Sequence, residues 1–167
     1  MSEQAKGRES SDARVQRLLD RLEIHDLVTR YYCAADQRDF DAFLSCFVPG
    51  TLVDYSEVLP VSSAHPVEKV TAVIEAAMAA AFSNTQHFMG NHSVTIDGDV
   101  ARGETYCLAI HQYIDPSQDQ DQRPASALRY IDRFVRRDDS WRIEHRRVTR
   151  DVGMFFASRT ASVSQVE

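Results

Sequence analysis

The sequence predicts an α+β fold, a strongly curved antiparallel or mixed sheet wrapped round helices, and three observations carry that expectation. Apolar residues recur at three- and four-residue steps through the first half of the chain, as in amphipathic helices. Beyond about residue 87 the texture becomes extended segments separated by Asp- and Gly-containing turns. Helices first and strands afterwards, with no internal repeat and no long linker, describe one α+β domain.

The first predicted helix runs from Asp12 to about Asp36, with Val15, Leu18, Leu19, Leu22, Ile24, Leu27, Val28 and Tyr31 as its apolar positions and Ser10 or Ser11 as its N-cap. Asp39 caps a short second helix, Phe40 to Phe47, which Pro49-Gly50 stops. Thr51 to Ser56 reads as a strand. Pro66, in a first-turn position, opens a third helix through Val70, Ile74 and Met78 to about Phe82. Four strands follow: 87–97, 100–114, 126–137 and 141–150. Asp97-Gly98-Asp99 and Asp138-Asp139-Ser140 are hairpin-type turns, and 115–124 is a polar loop. Residues 1–11 form a polar leader, 12–157 a single domain and 158–167 a flexible tail. In the strand 100–114, Gly103, Thr105, Cys107, Ala109 and His111 share one face. Small residues on an inward face leave a cavity, the usual home of a small-molecule site.

A length of 167 residues suits one domain with a real core. The net charge of -6 and the lack of a basic block argue against a nucleic-acid partner. Cys33, Cys46 and Cys107 are too scattered for a disulfide framework or a zinc knuckle, which points to a reducing cytoplasmic setting. The leader has no apolar core of a secretory signal, and the apolar run at 76–82 is too short to cross a bilayer. Five residues separate His87 from His92, so a regular strand sends them to opposite faces. No metal-binding spacing and no phosphate-binding glycine loop occurs, and no cofactor is expected.

The chemistry centres on Asp36, at the end of the first helix, and His87. A carboxylate beside an imidazole stabilises the imidazolium formed when the ring takes a proton, which makes the histidine a better general base. Imidazole is largely neutral near pH 7, its ordinary pKa being about 6.5. Asn91 continues the face of His87 and Met89, where it can meet a substrate or satisfy the backbone. Tyr130, Asp132 and Phe134 share a face, at the pocket or at a subunit interface. Arg146 can bind an anionic or carbonyl group, or can join Arg142, Arg147 and Arg150 in a solvated strand edge. Phe43, Phe47, Met78, Phe82, Phe88, Met89 and Phe134 supply an apolar wall suited to a cyclic apolar substrate.

The three helices before a curved sheet, Tyr31-x4-Asp36, Thr85-Gln86-His87-Phe88-Met89-Gly90 and Trp141-Arg142-Ile143-Glu144-His145-Arg146 together resemble the SnoaL-like branch of the nuclear transport factor 2-like superfamily. The likeness spans roughly residues 15 to 155. It implies a cone-shaped α+β barrel with a deep apolar pocket, and members that include scytalone dehydratase, bile-acid 7α-dehydratase, hexachlorocyclohexane dehydrochlorinase, ketosteroid isomerase and polyketide cyclases. By this resemblance Asp36 and His87 form a catalytic dyad, Tyr31 or Tyr55 is a phenol donor, and His111 is a further acid/base or binding group; in the expected elimination it protonates the departing hydroxyl. Where scytalone dehydratase has a tyrosine directly before the aspartate, this chain has Ala35. The expected activity is a lyase, with a cyclase or isomerase using the same base and a non-catalytic binding protein as alternatives. Homodimers or homotrimers are the expected assembly.

Overall fold

Ser10 begins the folded domain: its hydroxyl accepts the Ala13 amide at 3.2 Å and caps α1, Ser11–Gln37. This is a computed structural model, and it describes residues 10–115 and 123–156. Arg38, in the left-handed region at φ 58°, ends α1 by bonding back to the carbonyls of Ala34 and Ala35. That stop holds Asp36 in the final turn, facing the sheet. Asp39 caps α2 (Phe40–Ser45). The short strands β1 (Leu52–Asp54) and β2 (His65–Pro66) precede α3 (Val67–Ala81), which passes directly into β3 (Phe82–Asp97). Two hairpins then join β3 to β4 (Val100–Tyr113), and β5 (Arg123–Arg137) to β6 (Ser140–Phe156). Gly98 in the first turn, and Asp138 and Asp139 in the second, take the positive φ values that tight turns between twisted strands require.

The sheet order is β2-β1-β6-β5-β4-β3. β1 runs parallel to β6 and the other pairs are antiparallel, so the sheet is mixed. β2 and β3 remain at its two edges, which makes the expected barrel an open one. Its concave face packs on α1, where Ile24, Leu27, Val28, Phe134, Ile143 and Val148 are buried. No helix among the described residues is long and apolar enough to cross a membrane. Most of the leader and of the polar loop, and the whole tail, fall on residues 1–9, 116–122 and 157–167, outside the described part, while Ser10 and Ser11, expected in the leader, form the cap and first residue of α1.

Three expectations are corrected. Val15, Leu18, Leu19 and Leu22 are exposed, because they lie on the side of α1 opposite the buried stripe. His87 and His92 point to the same face, because β3 carries an extra residue between them. Met89 pairs with Cys107 and His92 with Thr105, three residues on one strand against two on the other. The arginines of β6 are no strand edge, because β6 lies between β1 and β5, and Arg146 is fully buried.

Candidate active site

Asp36 and His87 come together where the end of α1 meets β3. Nδ1 of His87 stands 2.6 Å from Oδ1 of Asp36, while the His87 backbone N–H donates to Oδ2 at 2.9 Å. Thr85, two residues earlier on the same strand face, donates its hydroxyl to Oδ1 at 3.0 Å. Burial opposes the Asp36 charge, but these bonds and the neighbouring imidazole outweigh it and hold the carboxyl below its ordinary value. With Nδ1 engaged, Nε2 is the ring nitrogen left for a substrate. Tyr32 lies parallel to the imidazole, 5.9 Å between ring centres, and backs it from the core side.

His87 lines a cavity of about 330 Å³, within the range of small-molecule sites. Tyr31, Tyr55, His111 and Tyr130 line it too, in a wall of Phe43, Val58, Leu59, Ile74, Met78, Phe82 and Leu128. The hydroxyls of Tyr31 and Tyr55 are 2.6 Å apart, so one donates to the other and a single proton remains for a ligand. Burial raises both phenols against the opposing pull of Arg146, which keeps them protonated donors at neutral pH. Arg146 sits behind them, its guanidinium carbon 4.0 Å from the Tyr31 ring centre. Two bonds of 2.7 Å join it to Asp132, and neither side chain is exposed.

His111 faces the dyad across the β3–β4 pair, its ring centre 6.0 Å from that of His87. Burial, reinforced by the nearby His87, lowers its pKa to about 4. A neutral imidazole of this kind is a poor proton source at pH 7, contrary to the expected acid role.

Six other residues expected at the pocket lie off this cavity. Phe88 alternates to the outer sheet face and is exposed, and the extra residue in β3 turns Asn91 outward as well. Met89 faces α1, near Thr29. Arg146 is screened by the tyrosines, and Phe47 and Phe134 belong to the core beneath. Arg150, expected in a solvated strand edge, is the arginine that lines the cavity. Among the described residues no carboxylate pairs with its guanidinium, which has one long 3.5 Å bond to the Val58 carbonyl. Strand periodicity was the available signal, since Arg146, Val148 and Arg150 alternate onto one face. No group of three or more His, Cys, Asp or Glu among the described residues is placed to hold a metal ion.

The arrangement thus offers a carboxylate-oriented imidazole, a phenol donor and a cation round one apolar volume. That set can take a proton from carbon and support negative charge on oxygen.

Comparison with known proteins places the chain. The uncharacterized protein Rv2910c of Mycobacterium tuberculosis is 33% identical over 132 residues, covering 79% of this chain and 86% of that protein. A scytalone dehydratase-like protein from Novosphingobium aromaticivorans superposes with a TM-score of 0.72 at 20% identity, covering 90% of this chain and 97% of that one. The hexachlorocyclohexane dehydrochlorinase LinA-type3 of Novosphingobium barchaimii superposes with a TM-score of 0.70 at 16% identity, over 92% and 99% of the two chains. The model of the SnoaL-like domain matches residues 16–147, and the chain accordingly belongs to the SnoaL-like family.

Proposed function

We propose that the protein is an acid/base lyase, a dehydratase that removes water from a small, apolar, hydroxylated cyclic ketone of polyketide- or steroid-like kind. One observation carries the reading: the 2.6 Å contact of Asp36 with Nδ1 of His87, beside a cavity that His87 shares with the tyrosine hydroxyls. Folds of this shape also serve dehydratase and dehydrochlorinase neighbours, which supports elimination as the reaction class.

In the proposed reaction Nε2 of His87 takes the proton from the carbon next to the carbonyl, and Asp36 stabilises the imidazolium. The electron pair of that C–H bond moves onto the carbonyl oxygen, where the free proton of the Tyr31–Tyr55 pair supports it. Collapse of the enolate forms the carbon–carbon double bond and expels the β-hydroxyl. The proton held on His87 goes to that hydroxyl and leaves as water, which restores the neutral base. His111 stays neutral and orients the leaving group, and Arg150 favours the negative charge that passes through the cavity.

The test is to incubate the protein with a panel of β-hydroxy cyclic ketones and follow product mass. Loss of water with wild type, abolished in folded His87→Gln, is expected. Turnover that survives His87→Gln would sink the base assignment, and a product of unchanged mass would replace the lyase by an isomerase or cyclase.

A further inference from the structure

The cavity holds a positive charge that no carboxylate among the described residues cancels. None of its described lining residues is Asp or Glu, and Arg150 carries the one permanent charge there. Acidic side chains outnumber basic ones on this chain, 25 to 19, so a shortage of carboxylates does not explain it. The acids beside Arg150 are turned to other partners. Glu57 accepts from Arg147 at 3.0 Å with one oxygen and from the backbone N–H of Arg150 at 3.2 Å with the other. Asp151, the next residue, is held by Arg129 and lies with Phe88 and Tyr106 on the outer face of the sheet. Arg146, on the same face as Arg150, is closed off by Asp132. The Arg150 guanidinium keeps the long bond to the Val58 carbonyl alone.

The space near this cation is open. His87 pairs with Ala109, Ala109 with Ser126 and Ser126 with Gly153 in one row across four strands, and all four residues line the cavity. A side chain at Gly153 would meet nothing within 4 Å, and no described residue bonds to the Ser126 hydroxyl. Two strands lie between β3 and β6, so at a spacing of about 4.8 Å per strand the base and the cation stand on opposite walls. A cleft with apolar walls and charge of one sign concentrates its field and draws in a ligand of the other sign. Guanidinium is a planar fork that meets a carboxylate through two parallel bonds. One cation balances a monoanion, whereas a phosphate would bring a second charge among apolar side chains.

We propose that the substrate is a carboxylic acid, whose carboxylate docks on Arg150 at the β6 wall, with Ser126 as a second donor, while its reacting carbon meets His87 on β3. This assignment deepens the dehydratase reading and rests on the cavity being the substrate site: the hydroxyketone becomes a hydroxyketo acid. The enolate is brief and its oxygen already has the tyrosine pair, so a carboxylate that stays through the turnover is the better match for a fixed cation. Arg150 then decides which hydroxyketones enter.

Calorimetric titration of the full-length protein with 2-naphthoate, and with 2-naphthamide as its neutral counterpart, tests the docking without turnover. Two fused rings suit a cavity of about 330 Å³. At about pH 8 the acid is ionised and an ordinary imidazole neutral. Wild type is expected to bind naphthoate about tenfold or more tightly than naphthamide, as for a charged hydrogen bond, and added NaCl should narrow the gap. Arg150→Met, with unchanged far-UV circular dichroism, is expected to bind the two alike, and Arg150→Lys to keep part of the preference. A wild type that binds naphthoate no better than naphthamide, or a preference that survives Arg150→Met, overturns the proposal. Neither probe can lose water, so that result leaves the dehydratase reading to the product-mass test, and failure of the mass test leaves a preference lost in Arg150→Met standing.

Discussion

Replacing Asp36 by Asn removes one charge from the dyad and leaves its shape nearly unchanged. The carboxylate and the ring are in contact at 2.6 Å, which puts the centres of charge about 4 Å apart once His87 carries a proton. At an effective dielectric constant near 20, suited to a partly exposed pair, the attraction lost is about 4 kcal/mol. Each 1.36 kcal/mol of barrier is a factor of ten, so kcat should fall about a thousandfold. The amide adds a second penalty, because its NH2 group can donate to Nδ1 and hold the proton on Nε2, where it blocks catalysis. The assay is the rate of water loss from the best substrate of the panel, with circular dichroism to establish folding and nitrogen NMR of His87 to read its tautomer. Activity of Asp36→Asn within tenfold of wild type, in a folded protein, would refute the claim that the carboxylate supports the base.

Arg146→Met should leave Asp132 charged and buried without its partner, at a cost of about 3–5 kcal/mol, or a fall in Tm of roughly 10 °C. Arg146→Met with Asp132→Leu should recover much of that loss, and a single variant within 1 kcal/mol of wild type in urea would contradict the buried pair. The folded pKa of His111, about 4, lies below its unfolded value, so the unfolded chain takes up the proton first. Stability should therefore be level above about pH 6.5 and fall by at most on the order of 3 kcal/mol towards pH 4. Asp36, whose folded value is lowered, adds a further loss as the pH falls below about 4. His111→Gln should flatten the upper part of this profile in denaturant titrations, and an unaltered profile would count against it. Gly103→Ala should lower the urea midpoint, at a cost of about 1–3 kcal/mol, because the new methyl would sit 2.9 Å from the Ser93 carbonyl oxygen and 3.0 Å from the Phe134 ring; an unchanged midpoint would show that the strands give way.

Local signals were enough for the elements. Ser10 and Asp39 mark helix starts by accepting a backbone amide, Pro66 does so by its fixed φ and missing N–H, and strict alternation from Gly103 to His111 identified the inward face of β4. The same reasoning failed wherever a strand inserts a residue. A bulge leaves little trace in composition, so the outward turn of Asn91 and the inward turn of His92 could not be read from spacing. The clustered arginines of β6 looked like a surface because charge is rarely buried, and what buries Arg146 is Asp132, fourteen positions earlier on the neighbouring strand. The apolar stripe of α1 misled in the opposite way. Periodicity reports that Leu18 and Leu22 share a face, but not which face the domain covers.

The extra residue in β3 gives that strand two independent phases. Thr85, His87 and Met89 face the cavity or the end of α1, whereas His92, Val94 and Ile96 pack beneath the start of the sheet. Deleting Gly90 or Asn91 would restore a regular strand and turn one of these halves inside out. While the bulge stays in place, each half can change its side chains without re-registering the other. A lineage could then remodel the cavity lining through substitutions at 82–89 while the base of the cone kept its packing. On such a scaffold, new substrate preferences are accessible by point mutation, whereas insertions and deletions within β3 are not.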